Sequence, residues 1–413
     1  MHILLIHQAF AALNEPGGTR HHEMARLLAA NGHQVTIITS PISYLTGQNQ
    51  HGKKAWLTRE TPDPGVTLLR AYTYAALHRS FFHRVLSFFS FMFSSFFIGL
   101  GVKNVDAVWG TSPPIFQGWT AWLLARLKGA AFLFEIRDLW PAFAIAVGVL
   151  RNKTLIRLSE WLEKFLYRHA DKIVVNSPGF IEHIQQRGGK NISLVENGVD
   201  AGMFDPLERG EDFRQTHGLQ GKFIALYAGA HGMSNDLEVL LRAAERLVED
   251  KGIALLLVGD GKEKNNLMNW AKERSLNNVR FVPSVAKNEM NGVLAAADAC
   301  IAILKPIELY KTTYPNKVFD YMAAGKPVLL LIDGVIREVV EQADCGWFIP
   351  PGDDLMLANK IKAMHNHKAD AKRMGQNGRE YAVKHFDRKT LTGKLENLFR
   401  DLINEKTHSN RGR

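Results

Sequence analysis

The chain has 413 residues, more than one ordinary core holds, and suits two domains of roughly 200 residues each. With 46% hydrophobic and 22% charged residues it is globular, which excludes an intrinsically disordered protein. Its formal charge of +10 points to an anionic partner such as nucleic acid, anionic lipid or a diphosphate, and the lack of a zinc finger, an RNP-type aromatic motif or a basic helix removes support for nucleic acid.

The opening, MHILLIHQAF, reads as a first strand over 3–7. It lacks the basic n-region and small-residue cleavage site of a signal peptide, so a cytoplasmic location is expected. A loop with Gly17 and Gly18 follows, then a helix to Asn31 that carries Arg20, His21 and His22, and a strand over 35–39. By itself the glycine pair is a turn. No G-x-G-x-x-G follows any strand, so a nicotinamide dinucleotide cofactor is not expected.

After a strand over 66–71 comes 85–102, VLSFFSFMFSSFFIGLGV, uncharged and preceded by His78, Arg79, His83 and Arg84. Its length suits a membrane span. Its serines and glycines, and its place between two strands of one domain, argue against crossing. The expectation is a helix whose Phe88, Phe89, Phe91, Phe93, Phe96 and Phe97 either pack in the core or insert shallowly at an anionic membrane surface.

Further strands are expected over 107–109, 131–136, 173–176 and 192–195. EIRDLWP (135–141) puts Arg137 and Asp138 at the carboxyl end of a very apolar strand. There they serve either as cleft-facing catalytic groups or as an ion pair that ties the loop down. In ENGVD (196–200) the Asn-Gly step favours a tight turn, with Glu196 and Asn197 directed to an interdomain cleft. The polar stretch 205–221 reads as a linker. It separates an amino-terminal domain, 1–204, from a carboxyl-terminal domain, 222–385, and a charged helical tail covers 386–413.

The second half repeats the rhythm with strands over 223–228, 254–258, 279–282, 299–304 and 328–332. Strands alternating with helices give an α/β architecture of two doubly wound parallel sheets, which bind ligands beyond the carboxyl ends of their strands. Cys300 and Cys345 lie in or beside apolar segments, without a Cys-x-x-Cys or Cys/His cluster. That argues against a disulfide framework or a structural metal and suits a reducing compartment. Gly229 and His231 follow the first of these strands and precede a helix that Ser234 or Asn235 would cap, so backbone N–H groups there can face a phosphate. The most pointed stretch is KTTYPNKVFDYMAAGKPVL (311–329). Pro315 opens a short apolar helix and Gly325 closes it. The free N–H groups and Lys317 suit a phosphate, and Asp320 suits a ribose diol. The same spacing also describes an ordinary amphipathic helix with a solvated lysine and aspartate.

Together, Gly17-Gly18, ENGVD with Phe204, VGDG (258–261) and FDYMAAGKPVL resemble the family-4 glycosyltransferases. These are retaining enzymes of the GT-B architecture, two Rossmann-like domains facing a central cleft. TSPP (111–114), RDLWP (137–141) and TTYPNK (312–317) are similar to a bacterial subgroup that builds O-antigen and capsule and includes enzymes assigned as L-fucosamine transferases. The resemblance implies a nucleotide-diphosphate sugar, with UDP as the expected nucleotide, on the second domain and an acceptor on the first. The acceptor expected is a polyprenyl-diphosphate-linked saccharide, the sugar an N-acetylated deoxyhexosamine or hexosamine, and the enzyme peripheral to the inner membrane. Transfer is expected to need no metal, and the departing β-phosphate to take the acceptor's proton.

By the same resemblance Asp320 holds the ribose hydroxyls, Gly17 and Gly18 approach the diphosphate, and Arg137 and Asp138 occupy a His-Asp step beside the reacting sugar. Asn197, Gly229, His231, Lys311, Thr312, Pro315 and Asn316 complete the expected donor site. Two departures stand out. Thr312 replaces the first acid of the family's Glu-x7-Glu motif, with Glu308 four residues too early, and the Arg/Lys pair after Gly229 is missing. Lys317, then Lys311, then Lys305 are nominated to supply the cation, Lys317 counting with Asp138 and Arg137 as catalytic. A nucleotide-sugar 2-epimerase and a catalytically silent nucleotide-sugar binding subunit remain as alternative readings.

Overall fold

The computed structural model describes residues 1–43, 47–49, 52, 55–75 and 81–411; His78 and Arg79 lie outside them. The chain divides into two compact units. One comprises Met1–Ala12, Gly17–Glu196 and Lys389–Arg413, the other Leu13–Pro16 and Asn197–Arg388.

The first unit runs β1 (His2–Ile6), α1 (Arg20–Ala30), β2 (Gln34–Thr39), β3 (Leu57–Asp63), β4 (Val66–Ala71), α2 (Phe81–Gly101) and β5 (Ala107–Ser112). It continues with α3 (Phe116–Lys128), β6 (Ala131–Ile136), α4 (Ala142–Ala146), α5 (Lys153–His169), β7 (Lys172–Val175), α6 (Ile181–Gln186) and β8 (Ile192–Leu194). The second unit holds α7 (Glu211–Thr216), β9 (Phe223–Ala228), α8 (Glu238–Arg246), β10 (Ile253–Val258), α9 (Lys264–Glu273), β11 (Val279–Val282), α10 (Met290–Ala295) and β12 (Ala299–Ile303). Next come α11 (Asn316–Ala323), β13 (Val328–Leu331), α12 (Val335–Gln342), β14 (Gly346–Phe348), α13 (Asp354–Asn366) and α14 (Lys368–His385), and α15 (Arg388–Arg411) ends the chain.

The first sheet has the order β3-β4-β2-β1-β5-β6-β7-β8 and is parallel except for the antiparallel β3–β4 edge pair. The second, β11-β10-β9-β12-β13-β14, is parallel throughout. The apolar runs are legible as strands because helices cover both faces of each sheet and leave no polar side to alternate with. In β9, Ile224, Leu226 and Ala228 pack in one core while Phe223, Ala225 and Tyr227 pack in the other, the period of two that a strand imposes. Two strands escape the sequence reading. β3, LTRETPD, is a polar edge strand, and β14 is only GWF.

The expected boundaries need two corrections. Residues 205–221 are part of the second unit and contain α7, whose Arg214 donates to Asp298 at 2.9 Å. The tail from 386 does not stand apart, because α15 packs Leu391, Leu395 and Phe399 against Ile3, Val35 and Trp109 of the first unit. Each of these side chains is nearly fully buried and contributes about 1.5–3 kcal/mol relative to exposure, so the helix is part of that core. On the opposite face of the same sheet Gly110 lets α3 approach, since a Cβ there would lie 2.7 Å from that of Ala121.

Candidate functional site

In the second unit the carboxyl ends of β9, β10 and β11 and the start of α11 come together. Pro315, with φ −68°, caps α11 and has no N–H to leave unsatisfied. Lys317 in the first turn reaches back to β9: its Nζ donates to the Tyr227 hydroxyl at 2.9 Å and sits 4.0 Å from that ring's centroid. It also borders the β9 loop, where a Cβ on Gly229 would meet Nζ at 2.7 Å. Glycine at 229 is favoured by its backbone, φ +149°, and a side chain there would displace the ammonium beside it. Burial lowers the Lys317 pKa from 10.5 to about 7. Tyr321, one turn on, both accepts from the Ala228 amide (3.0 Å) and donates to its carbonyl (3.1 Å), which locks α11 onto the end of β9.

The neighbouring loops are packed backbone to backbone. A Cβ on Gly259 would fall 1.9 Å from the Gly229 carbonyl oxygen, so only glycine fits. The His231 amide donates to the Asp260 carbonyl at 2.9 Å, and the Asp260 carboxylate takes the Ser284 amide and hydroxyl, each at 2.8 Å. The VGDG segment thereby joins three strand ends. The His231 ring is buried beneath this loop, and among the described residues neither ring nitrogen has a hydrogen-bond partner. Desolvation, reinforced by Lys264, lowers its pKa to about 4. It is neutral at pH 7 and does not replace the missing cations.

The remaining donor candidates separate by position. Asp320 forms a 2.6 Å ion pair with Lys287, whose ammonium lies 5.2 Å from the centre of the Phe204 ring. Asn197 donates to the Tyr314 carbonyl at 2.7 Å, and Asn316 accepts from Arg388 at 3.4 Å, while Arg388 also donates to the Gly198 carbonyl. These contacts hold the TTYPNK turn against the segment after β8. Lys311 is exposed and paired with Glu308 at 2.8 Å, and Thr312 donates to the Leu309 carbonyl at 2.7 Å within the same 3-10 turn, Glu308–Thr312. Lys305 faces Asp236. Of the three nominated lysines, Lys317 is the one whose ammonium borders Gly229.

The first unit buries a second polar cluster at the carboxyl ends of β1, β5 and β6. Gly17 packs on Ala11, and Gly18 has open space where a side chain would be. From the first turn of α1, Arg20 donates to Glu135 at 3.0 Å and to the Val195 and Glu196 carbonyls at 2.8 and 2.6 Å. His21 Nε2 meets the other Glu135 oxygen at 2.6 Å, and the Trp109 indole donates to it at 3.1 Å. Burial lowers His21 to about 4 against the pull of Glu135. Burial opposes ionisation of Glu135 too, yet its charged and hydrogen-bonding neighbours keep it well below the usual carboxylate range. The His7 ring lies 4.3 Å from that of His21, tilted at 51°, and its Nδ1 lies 3.2 Å from the Thr111 hydroxyl. Burial and Arg137 push its pKa down. The sequence displays Arg20, His21 and Glu135 but gives none of them a role, because the partners are more than a hundred positions apart.

Arg137 donates to the Pro113 carbonyl at 2.9 Å and so ties RDLWP to TSPP. Asp138 beside it is half-buried, and desolvation raises its pKa from 3.8 to about 6, with Arg137 opposing. The folded state then holds more protons than the unfolded one between 3.8 and 6, so this group lowers stability as pH rises through that window, and its penalty is full above it. Asp138→Asn is expected to melt higher than the parent at pH 7.5, the gain fading at pH 4. A variant less stable at both pH values refutes this account of the site.

Residues 17–198 match the family described as Glycosyl transferase 4-like domain, and residues 209–381 the family described as Glycosyl transferases group 1. WcaI of Escherichia coli (strain K12), provisionally named a colanic acid biosynthesis glycosyl transferase, is 26% identical over 313 residues, 73% of this chain and 76% of its own. A sucrose-phosphate synthase from Thermosynechococcus elongatus superposes with a TM-score of 0.79 at 20% identity, over 98% of this chain and 99% of that one. HepE from Anabaena, solved in complex with UDP-glucose, does so with a TM-score of 0.72 at 17% identity, over 97% and 100%. Two family matches in tandem, on two doubly wound units of this architecture, make the chain a family-4 glycosyltransferase of the GT-B fold.

Proposed function

We infer that the protein transfers a sugar from a UDP-sugar to a polyprenyl-diphosphate-linked saccharide during assembly of a surface polysaccharide, with retention at the anomeric carbon. The observation that carries the reading is the Lys317 ammonium placed at a helix start beside Gly229, with Asp320 one turn on. The helix N–H groups and Lys317 suit the diphosphate, and the Asp320 carboxylate, its charge balanced by Lys287, accepts hydrogen bonds from a ribose diol. HepE, bound to UDP-glucose, supports UDP as the donor nucleotide, and WcaI supports polysaccharide assembly. An N-acetylated deoxyhexosamine or hexosamine is the sugar the TSPP, RDLWP and TTYPNK motifs favour.

In this mechanism the acceptor hydroxyl oxygen attacks the anomeric carbon as the bond to the β-phosphate oxygen breaks. The hydroxyl proton passes to that phosphate oxygen, giving the glycoside and UDP without a metal. Lys317 and backbone N–H groups stabilise the charge gathering on the leaving group. The family resemblance assigns Arg137 and Asp138 to the reacting sugar and Gly17-Gly18 to the diphosphate.

The test is thermal unfolding of the parent and of Asp320→Asn with UDP, GDP, ADP and NAD. A ligand at a hundred times its Kd adds about 2.7 kcal/mol, which moves a domain of this size by roughly 2–4 °C per kcal/mol. Stabilisation by UDP alone, lost in the variant, is expected. No shift with any nucleotide sinks the donor site, and acceptor-free conversion of a UDP-sugar turns the reading to a 2-epimerase.

A further inference from the structure

A helix on the surface of a soluble unit turns its polar side chains to water and its apolar ones inward. Helix α2 buries Phe91 and Ile98 but departs from this on both faces. Ser87, Ser94 and Ser95 are fully buried, and Ser94 donates to the Tyr72 carbonyl at 2.6 Å. Phe82, Leu86, Phe89, Phe93, Phe97 and Leu100 form an outward stripe, each between 39% and 67% exposed. Their spacing of three and four residues keeps them on one helical face. Gly99 seats the inner face against α3, where a Cβ would lie 2.5 Å from Leu124.

The apolar surface extends beyond this helix. Exposed Trp56 and Tyr72 stack at 6.2 Å, and Trp56 meets Phe93 at 6.4 Å. On the other side Trp119 of α3 touches Trp161 of α5 at 6.3 Å, and α5 exposes Leu158 and Trp161, both at 57%. The exposed charge on α3 and α5 is predominantly basic. Neither α2 nor α3 contains a carboxylate, while Arg126 of α3 and Arg157, Lys164 and Arg168 of α5 are exposed. Of the two acids on α5, Glu163 is buried with Arg187 and Glu160 is half-buried. Basic groups that form no ion pair among the described residues, carried on the same helices as outward aromatic rings, complement an anionic lipid surface.

We propose that this face of the first unit, formed by α2, Trp56, Tyr72 and α5, docks flat on an anionic phospholipid bilayer with its aromatic rings in the headgroup region. The stretch Phe82–Gly101 is long and apolar enough to cross a membrane, but a third of it is buried in the unit. Crossing would strip the serine hydrogen bonds and the α3 contact, so the helix lies in the interface. Ring contacts from Phe89 to Phe116 and from Phe116 to Trp140, both 5.5 Å, connect this face to RDLWP, two positions from Asp138. A lipid-anchored substrate held in the same bilayer would reach the unit beside that segment. This last step rests on the proposed acceptor, whereas lipid binding does not.

The test is co-sedimentation of the full chain with phosphatidylcholine vesicles, with and without phosphatidylglycerol, and no sugar substrate. Binding is expected to the anionic vesicles, weaker in high salt. Phe89→Ser with Phe93→Ser should reduce it by at least about tenfold at an unchanged unfolding midpoint. Arg157→Glu with Lys164→Glu should remove the preference for phosphatidylglycerol. Parent protein left in the supernatant, or serine variants that bind as well as the parent, overturns the proposal. So does a Phe93-dependent dimer in sedimentation velocity that ignores vesicles, or resistance of the vesicle-bound protein to alkaline carbonate, which marks a span. UDP-induced stabilisation is read separately, so failure of the donor site and failure of the docking face are distinguishable.

Discussion

Replacing Lys317 with methionine is expected to lower kcat/KM by about 10²–10³-fold, the loss typical of removing one preorganised group aimed at developing charge. Methionine keeps the apolar stem against Tyr227 and removes only the ammonium that lies 2.9 Å from the Tyr227 hydroxyl. The pH dependence separates this role from a structural one. Burial brings Lys317 from 10.5 to about 7 in the folded chain. Between those values the unfolded state binds the extra proton, so stability contributed by this group rises with pH. Ligand binding runs the other way. At pH 8 the free lysine is mostly neutral, and a diphosphate beside it restores the charge, so binding takes up a proton and UDP affinity falls as pH rises above about 7. Calorimetry in buffers of different ionisation enthalpy measures that uptake, which should vanish in Lys317→Met. Uptake of the same size in the variant assigns the proton to another group and removes Lys317 from the diphosphate.

Why Lys317 was legible and its neighbours were not follows from topology. In a parallel sheet every strand points its carboxyl end to one edge, so the glycine turn after β9 and the helix that enters β13 had to approach each other. Asp320 was readable as an acid one turn into that helix. Its partner Lys287, on the turn after β11, was not, because residue spacing within a segment says nothing of a contact made across three strands. The same limit hid Arg388, which fixes Asn316 and Gly198 from the far end of the chain. The apolar stripe of α15 identifies a helix but not the core that receives it. In α2 the composition announced aromatic surface, while the inward serines that decide which face is outside appear only in the fold.

The buried cluster around Glu135 was the least legible part, and it carries the largest stability effect. Glu135→Ala is expected to destabilise the first unit by about 3–5 kcal/mol, the usual result of breaking a buried ion pair from one side. Arg20 is then left without its carboxylate at 3.0 Å in a site where both side chains are almost completely hidden from water. His21 and the Trp109 indole lose the same acceptor. Glu135→Gln, which keeps the shape and one acceptor, should cost less. Adding Arg20→Met to Glu135→Gln should recover much of the loss, since the unpaired charge and not the missing pair is the main penalty. Recovery stays incomplete because Arg20 also holds the Val195 and Glu196 carbonyls. The pH window follows from Glu135 being held below the ordinary carboxylate range. Its contribution is full above the unfolded value and is lost only as pH falls through the lower folded value, so the parent outlasts Glu135→Gln in mild acid. Denaturant titrations of the four proteins at pH 7 and pH 4 measure these differences. A Glu135→Ala cost under about 1 kcal/mol, the level of a solvent-exposed pair, would show that water reaches the cluster and that Arg20 does not depend on it.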